Sequence, residues 1–274
     1  MIAGLVRSEL LKVRSTRTWW GVLVPVVLLG LLTGLFAGVF AEAGPAFGED
    51  EAAPYLVAAA AYTLTLAAQF AAVLTGLGAA GEFRHRTITT TYLTAPGRGA
   101  VLVAKLVVAA LVGVGYAVAA LVAVVVGALV RQGFGALTDL AGLLTVGPVG
   151  IAVVVLWSCI GVALGIALTN QAGTVVLLLL YVLLGELLLS TVLNLADALA
   201  IRQITAYLPV NAGEVALYTA AGDAVFGADP EEIVALAAGV TDPLPVGWSL
   251  LVLTAWALAL CVLAWWVGNR RDIA

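Results

Sequence analysis

Six long apolar runs constrain this chain more than anything else in it. A helix rises about 1.5 Å per residue and the hydrocarbon core of a bilayer is about 30 Å thick, so about 20 apolar residues suffice to cross it. The runs are Trp19–Phe40, Leu56–Ala80, Val101–Val130, Leu140–Leu168, Ala172–Leu193 and Val246–Val267. Read as helices, they predict an all-α membrane protein whose 274 residues form a single transmembrane domain. Composition agrees: 63% of residues are hydrophobic and 10% charged, against about 25% charged in a soluble domain. Gly147-Pro148 is the expected bend in the fourth span. Thr169-Asn170-Gln171 is the expected break between the fourth and fifth.

Orientation follows from the bias of basic residues toward the cytoplasm. With both termini inside, ten of the 12 Lys and Arg fall on the cytoplasmic side or its edge. These are Arg7, Lys12, Arg14, Arg17, Arg84, Arg86, Arg98, Lys105, Arg270 and Arg271, leaving Arg131 and Arg202 outside. The acids sort the other way, with Glu42, Glu49, Asp50 and Glu51 in the first outer loop and seven more in the last. The first apolar run exceeds the 7–15 residues of a signal-peptide core, so it reads as a retained span of a multi-pass plasma-membrane protein.

Residues 1–17 place Ile2, Val6, Leu10 and Val13 at helical spacing, with Arg7, Lys12 and Arg14 elsewhere. This predicts an amphipathic helix in the inner interface, its apolar side toward lipid, with Glu9 as a flaw on that side. Trp19-Trp20 and Trp265-Trp266 mark interfaces. Residues 194–245 form an outer segment with its own helix signals. Asn211 with Glu214 opens one helix that ends at Gly222. Asp229-Pro230-Glu231-Glu232 opens another, closed by Gly239. The apolar character of the segment predicts helices dipping into the membrane edge, where their backbone must be covered by protein or line a cavity.

Convergent catalytic groups are scarce. The single histidine is His85, and the chain has no HExxH, CxxC, phosphate loop or GxSxG with a histidine partner. No catalytic or metal-binding residue is predicted, and any use of ATP must fall to another chain. Cys159 and Cys261 sit within apolar runs and read as small buried hydrophobes. Glu186, inside the fifth span, is a costly intramembrane acid and a candidate for the translocation path, with Gln69 of the second span a weaker one. Gly30, Gly34 and Gly38, and Gly161 with Gly165, form small-residue stripes suited to close helix packing within one bundle.

One polar stretch remains, Gly-Glu-Phe-Arg-His-Arg-Thr-Ile-Thr-Thr-Thr-Tyr-Leu-Thr-Ala-Pro-Gly-Arg-Gly over residues 81–99. Glu82 at its start, Thr87-Ile88, then Pro96, Arg98 and finally Lys105 resemble the cytoplasmic signature of ABC-2 type permeases, the membrane subunits of ATP-binding-cassette transporters. The wording is most similar to actinobacterial members. Arg86 stands where that family commonly has glycine, which predicts a helical rather than a broken turn there. The resemblance implies that residues 81–99 hold a coupling helix gripped by an ATPase. Glu82, Arg84, His85, Arg86, Thr87, Ile88, Tyr92 and Arg98 would serve this contact, Ile88, Tyr92 and Leu93 as an apolar ridge and the arginines as charged contacts.

It further implies an exporter of a hydrophobic or amphipathic compound, whether drug, antibiotic or lipid-like. Its partners would be a second permease subunit as homodimer, two copies of an ABC ATPase carrying ATP and Mg, and membrane lipid, with no nucleic acid and no cofactor in this chain. The competing expectation is an ion-coupled secondary transporter that uses Glu186, although no inverted repeat of the kind common in such carriers is visible.

Overall fold

The computed structural model describes residues 2–43, 55–195, 202–225, 234–235, 238–240 and 242–270. No β-strand occurs among them. In chain order the helices are α1 (Ile2–Ser15), α2 (Thr18–Ala43), α3 (Tyr55–Arg84), α4 (Thr87–Thr94) and α5 (Arg98–Gln132). They continue with α6 (Leu140–Leu168), α7 (Gln171–Leu180), α8 (Glu186–Asn194), α9 (Pro209–Val225) and α10 (Val246–Arg270). Six helical stretches are long and apolar enough to cross a membrane: Thr18–Ala41, Tyr55–Arg84, Arg98–Ala136, Leu140–Leu168, Gln171–Asn194 and Val246–Arg270. All six predicted spans are there, and the chain is an all-α protein of multi-pass membrane character.

Small residues decide how these helices approach. α3 runs through the centre and packs against α6, α2, α5 and α9, burying Ala60, Ala61, Ala67, Ala68, Ala71 and Ala72. A β-carbon at Gly161 of α6 would stand 2.1 Å from the Ala72 carbonyl oxygen, so only glycine permits this crossing. Thr75 uses the same proximity, its hydroxyl donating to the Ser158 carbonyl at 2.8 Å. On α2, a β-carbon at Gly34 would meet the Val124 carbonyl oxygen of α5 at 2.0 Å. Both glycine stripes are therefore spent on packing inside one chain, as small-residue stripes allow.

α6 carries Gly147-Pro148 inside one continuous helix, since a membrane bundle can re-satisfy the backbone group that a proline frees. The fifth span contains an irregular stretch, where Tyr181–Gly185 forms a π-helical turn between α7 and α8. Two local readings are corrected. α9 starts at Pro209, not Asn211, and continues past Gly222, because proline is pre-set for the first helical position. The turn at Arg86 is broken rather than helical: Arg86 adopts φ 55° and ψ 19°, a left-handed conformation. That region favours glycine, so the backbone breaks here although Arg86 carries a full side chain.

Within residues 194–245, α9 is integrated into the bundle. Ala212, Val215, Ala216 and Leu217 of α9 have no exposed surface, and α9 packs on α3, α6 and α10. The second helix signal at Asp229-Pro230-Glu231-Glu232 lies outside the described residues, as do Glu49, Asp50, Glu51 and Arg271. The break between the fourth and fifth spans falls where expected. Thr169 takes φ 55°, and the Asn170 side chain caps α7 by accepting from the Gly173 N–H at 3.1 Å.

Candidate functional site

At the end of the bundle that carries α4, four charged side chains from three helices form one cluster. Glu9 comes from α1, Glu82 from the last turn of α3 and Lys105 from the second turn of α5; Lys12 follows Glu9 by one turn. Lys105 Nζ donates to Glu9 Oε2 at 2.8 Å and also to Glu82 Oε1. Lys12 Nζ donates to Glu9 Oε1 at 2.5 Å, to Glu82 Oε1 at 3.1 Å and to the Thr91 hydroxyl of α4 at 3.1 Å. Glu9, Glu82 and Lys105 are buried, while Lys12 is partly exposed. Two acids meet two bases, so the cluster is formally neutral. Burial alone would raise the Glu9 carboxyl, but Lys105 and Lys12 outweigh it and hold Glu9 below the ordinary value of 4.5. Burial likewise opposes the charge on Lys12, yet Glu9 and Glu82 keep it above the ordinary 10.5.

This arrangement revises the reading of α1. Val6, Leu10 and Val13 are half-buried and share their side with buried Glu9, and α1 packs on α5 and α2. From Val6 to Val13 the apolar side of α1 therefore packs on protein, while Ile2 at its start is exposed. Glu9 on that side is no flaw; it is the group that pairs with Lys105.

Beside the cluster lies a cavity of about 570 Å³. Its walls include Glu9, Lys12, Glu82 and Lys105 at one end and Leu74, Val108, Val112 and Val162 along its length. His85 and Thr87 also reach it. Glu82 Oε2 is buried and has no hydrogen-bond partner among the described residues.

The expected coupling residues divide by exposure. Arg84, His85, Arg86 and Thr87 are exposed, and Arg84 donates to the Gln171 side chain at 3.2 Å. Ile88 is buried to 1% exposure and so cannot belong to an outward ridge. Tyr92 is half-buried beneath the Arg98 guanidinium, 5.4 Å from its ring centre. Leu93, at 85% exposure, is the apolar side chain that α4 presents outward. Arg98 belongs to the first turn of α5 rather than to a loop, and donates to the Gly268 and Asn269 carbonyls at 2.7 and 3.2 Å. It thereby satisfies open carbonyls at the C-terminus of α10.

Glu186 sits elsewhere. Its carboxylate accepts from the backbone N–H groups of Val210 at 2.9 Å and Asn211 at 2.6 Å. It therefore caps the first turn of α9, the positive end of that helix dipole. Asn211 extends the network, its side-chain amide donating to the Ser190 hydroxyl and the Thr205 carbonyl. Gln69 is half-buried in α3, and thirteen residues of helix separate it from Glu82, about 20 Å. Neither Gln69 nor Glu186 lines the cavity, so the two groups of candidate residues do not form one site.

Sequence reading missed Lys12 and Glu9 as members of the cluster. The available signal was Glu9 itself, an acid on the apolar side of an otherwise amphipathic helix. The pairing of Glu82 with Lys105, 23 residues apart, could not be read from spacing, because it depends on how α3 and α5 cross. Fold and cluster together define a multi-pass, all-helical membrane protein of transporter-like build. No protein-family model and no curated protein matches the chain.

Proposed function

We propose that the chain is the membrane-spanning permease subunit of an ATP-driven exporter in the plasma membrane, with both termini in the cytoplasm. It acts as a homodimer bound to two ATPase chains, and it moves a hydrophobic or amphipathic compound outward. The observation that carries this reading is the way α4 is mounted. α4 joins α3 to α5, is pinned inward through Ile88, and is tied by Thr91 to the Lys12 that also holds Glu9 and Glu82. Arg86, Thr90, Leu93 and Thr94 remain exposed on its other side. A force applied to that exposed side passes directly into α1, α3 and α5, as a coupling helix requires. In this reading the partner contacts are Arg84, Arg86 and Leu93, with Ile88, Tyr92 and Arg98 holding the helix from within.

The helix cap accounts for Glu186 without a titrating role, which favours the ATP-driven reading over an ion-coupled one. The test is co-expression with ATP-binding-cassette ATPases of the host, followed by purification and transport assay in vesicles. Arg84→Glu with Arg86→Glu should release the ATPase or uncouple hydrolysis while membrane insertion survives. Transport that persists without any ATPase would overturn the proposal, as would an unchanged complex in the double variant.

A further inference from the structure

Two acids converge on the first turns of α9, and the helix has a use for one of them. Asn211 and Glu214 have the spacing of a capping pair, in which the acid reaches back to the earlier backbone N–H. In the structure that N–H is already taken. Glu186 of the fifth span accepts from Asn211 at 2.6 Å and from Val210 at 2.9 Å. Glu214 is left half-buried, with no hydrogen bond and no base beside it among the described residues.

Its surroundings favour the uncharged form. Val215, Ala216 and Leu217, which follow it on α9, have no exposed surface. Tyr218, one turn further on, lies against Thr65 and Tyr62 of α3, and burial with Glu214 nearby raises its hydroxyl above the ordinary 10. The other elements packed on α9 bring no base: α6 and the turn Gln203–Tyr207 have no charged residue, and Arg270 stands at the far end of α10. The charge that does face Glu214 is a second negative one, Glu186. Burial first, and Glu186 after it, push the Glu214 carboxyl up from 4.5 to about 7.

We propose that Glu214 is a proton switch for the seating of α9: protonated, it lets α9 pack on α3, α6 and α10, and ionised, it releases α9 toward water and away from Glu186. The sign follows from burial. Seated α9 holds a proton that released α9 gives up between pH 4.5 and about 7. Seating is therefore strongest in acid and weakens by up to about tenfold per unit as pH rises through that window. Above it both forms are ionised, and seating no longer changes. α1 responds in the opposite sense, because Glu9 lies between lysines and Glu214 does not. The switch belongs to the isolated chain, so it stands or falls apart from ATPase coupling.

The test follows hydrogen exchange of α9 amides in the full chain, held in phosphatidylcholine nanodiscs, from about pH 5 to about pH 8. Each rate is divided by the intrinsic exchange rate at that pH. Protection of Val215, Ala216 and Leu217 should fall by about tenfold or more over this range. Glu214→Gln keeps the shape of the protonated acid and should hold the protection of the acid range throughout. Protection that does not change with pH in the unaltered chain overturns the proposal. An equal fall in Glu214→Gln also overturns it, since the titrating group is then another, Glu186 foremost. Infrared difference spectra of the carboxyl band, unaltered chain minus Glu214→Gln, give the midpoint directly. It should lie near 7, and a midpoint closer to 4.5 overturns the proposal.

Discussion

Lys105 is the residue whose loss should be felt most. Its side chain is 5% exposed and bridges Glu9 and Glu82, themselves 8% and 10% exposed. Replacing it with methionine keeps the bulk of the side chain but leaves two buried carboxylates with one lysine. Breaking a buried pair by removing one partner costs about 3–5 kcal/mol, because the remaining charge is uncompensated. Lys12 still reaches both acids, so the lower end, about 3 kcal/mol, applies. Lys12 itself is 36% exposed, where solvent screens the pair, and Lys12→Met should cost only about 1 kcal/mol. The difference is measurable as the opening of α1, which the cluster holds to the bundle. Hydrogen exchange of α1 amides in the purified chain should accelerate by about two orders of magnitude in Lys105→Met and about fivefold in Lys12→Met. Adding Glu9→Gln to Lys105→Met restores the charge balance and should recover at least tenfold of the protection, about 1.4 kcal/mol. Equal effects of the two lysine variants, or unchanged α1 exchange in Lys105→Met, would refute the account of α1 as held by a buried ion cluster.

Other predictions concern single positions. Arg86→Val places a β-branched residue at φ 55° and should lower stability by about 1–3 kcal/mol and loosen α4, whereas Arg86→Gly should not, as thermal melts and exchange of α4 would show. Gly161→Ala forces α6 away from the Ala72 carbonyl and should depress the melting temperature clearly, while Gly115→Ala on α5, where a β-carbon meets nothing within 4 Å, should not. Glu186→Leu leaves the N–H groups of Val210 and Asn211 without an acceptor and should cost about 1–3 kcal/mol, with Glu186→Gln milder because one acceptor oxygen remains. Docking of α1 should depend on acid in one direction. Glu9 is held below 4.5 in the folded chain, so its contribution is full above that value and is lost as pH falls below it. The protection of α1 amides, measured against the intrinsic exchange rate at each pH, should fall on acidification and should fall less in Glu9→Gln.

Much of this architecture is legible in the residues, and the reason is lipid. Spans of about 20 apolar residues have few alternatives to being helices, so all six emerge from the one-dimensional pattern, as does the turn at Thr169-Asn170. The glycine stripes also declare their use, since close packing needs small residues wherever the partner lies. What stays hidden is every feature that depends on two distant segments. The Glu82–Lys105 pair needs the crossing of α3 with α5, and Glu186 finds its donors in the backbone of α9, which no side-chain pattern advertises. α1 misled for a related reason: in a single helix, an apolar face toward protein reads the same as one toward lipid. Only the misplaced acid Glu9 distinguished them. Arg86 shows the converse, a left-handed turn kept by its context without the glycine that would announce it.

The cap on α9 also sets an order of events in biosynthesis. Glu186 and its two donors are 24 and 25 residues apart, and the donors are translated later. The fifth span, Gln171–Asn194, therefore leaves the ribosome and meets lipid while its acid is still alone. An acid at the centre of an inserting helix costs roughly 3 kcal/mol, and each central leucine returns roughly 0.5 kcal/mol. The ten leucines of this span exceed that cost without help from α9. The leucine richness around Glu186 thus serves the interval before its partner exists as well as the exposed apolar surface of the finished span, where Leu183, Leu184, Leu187 and Leu188 lie.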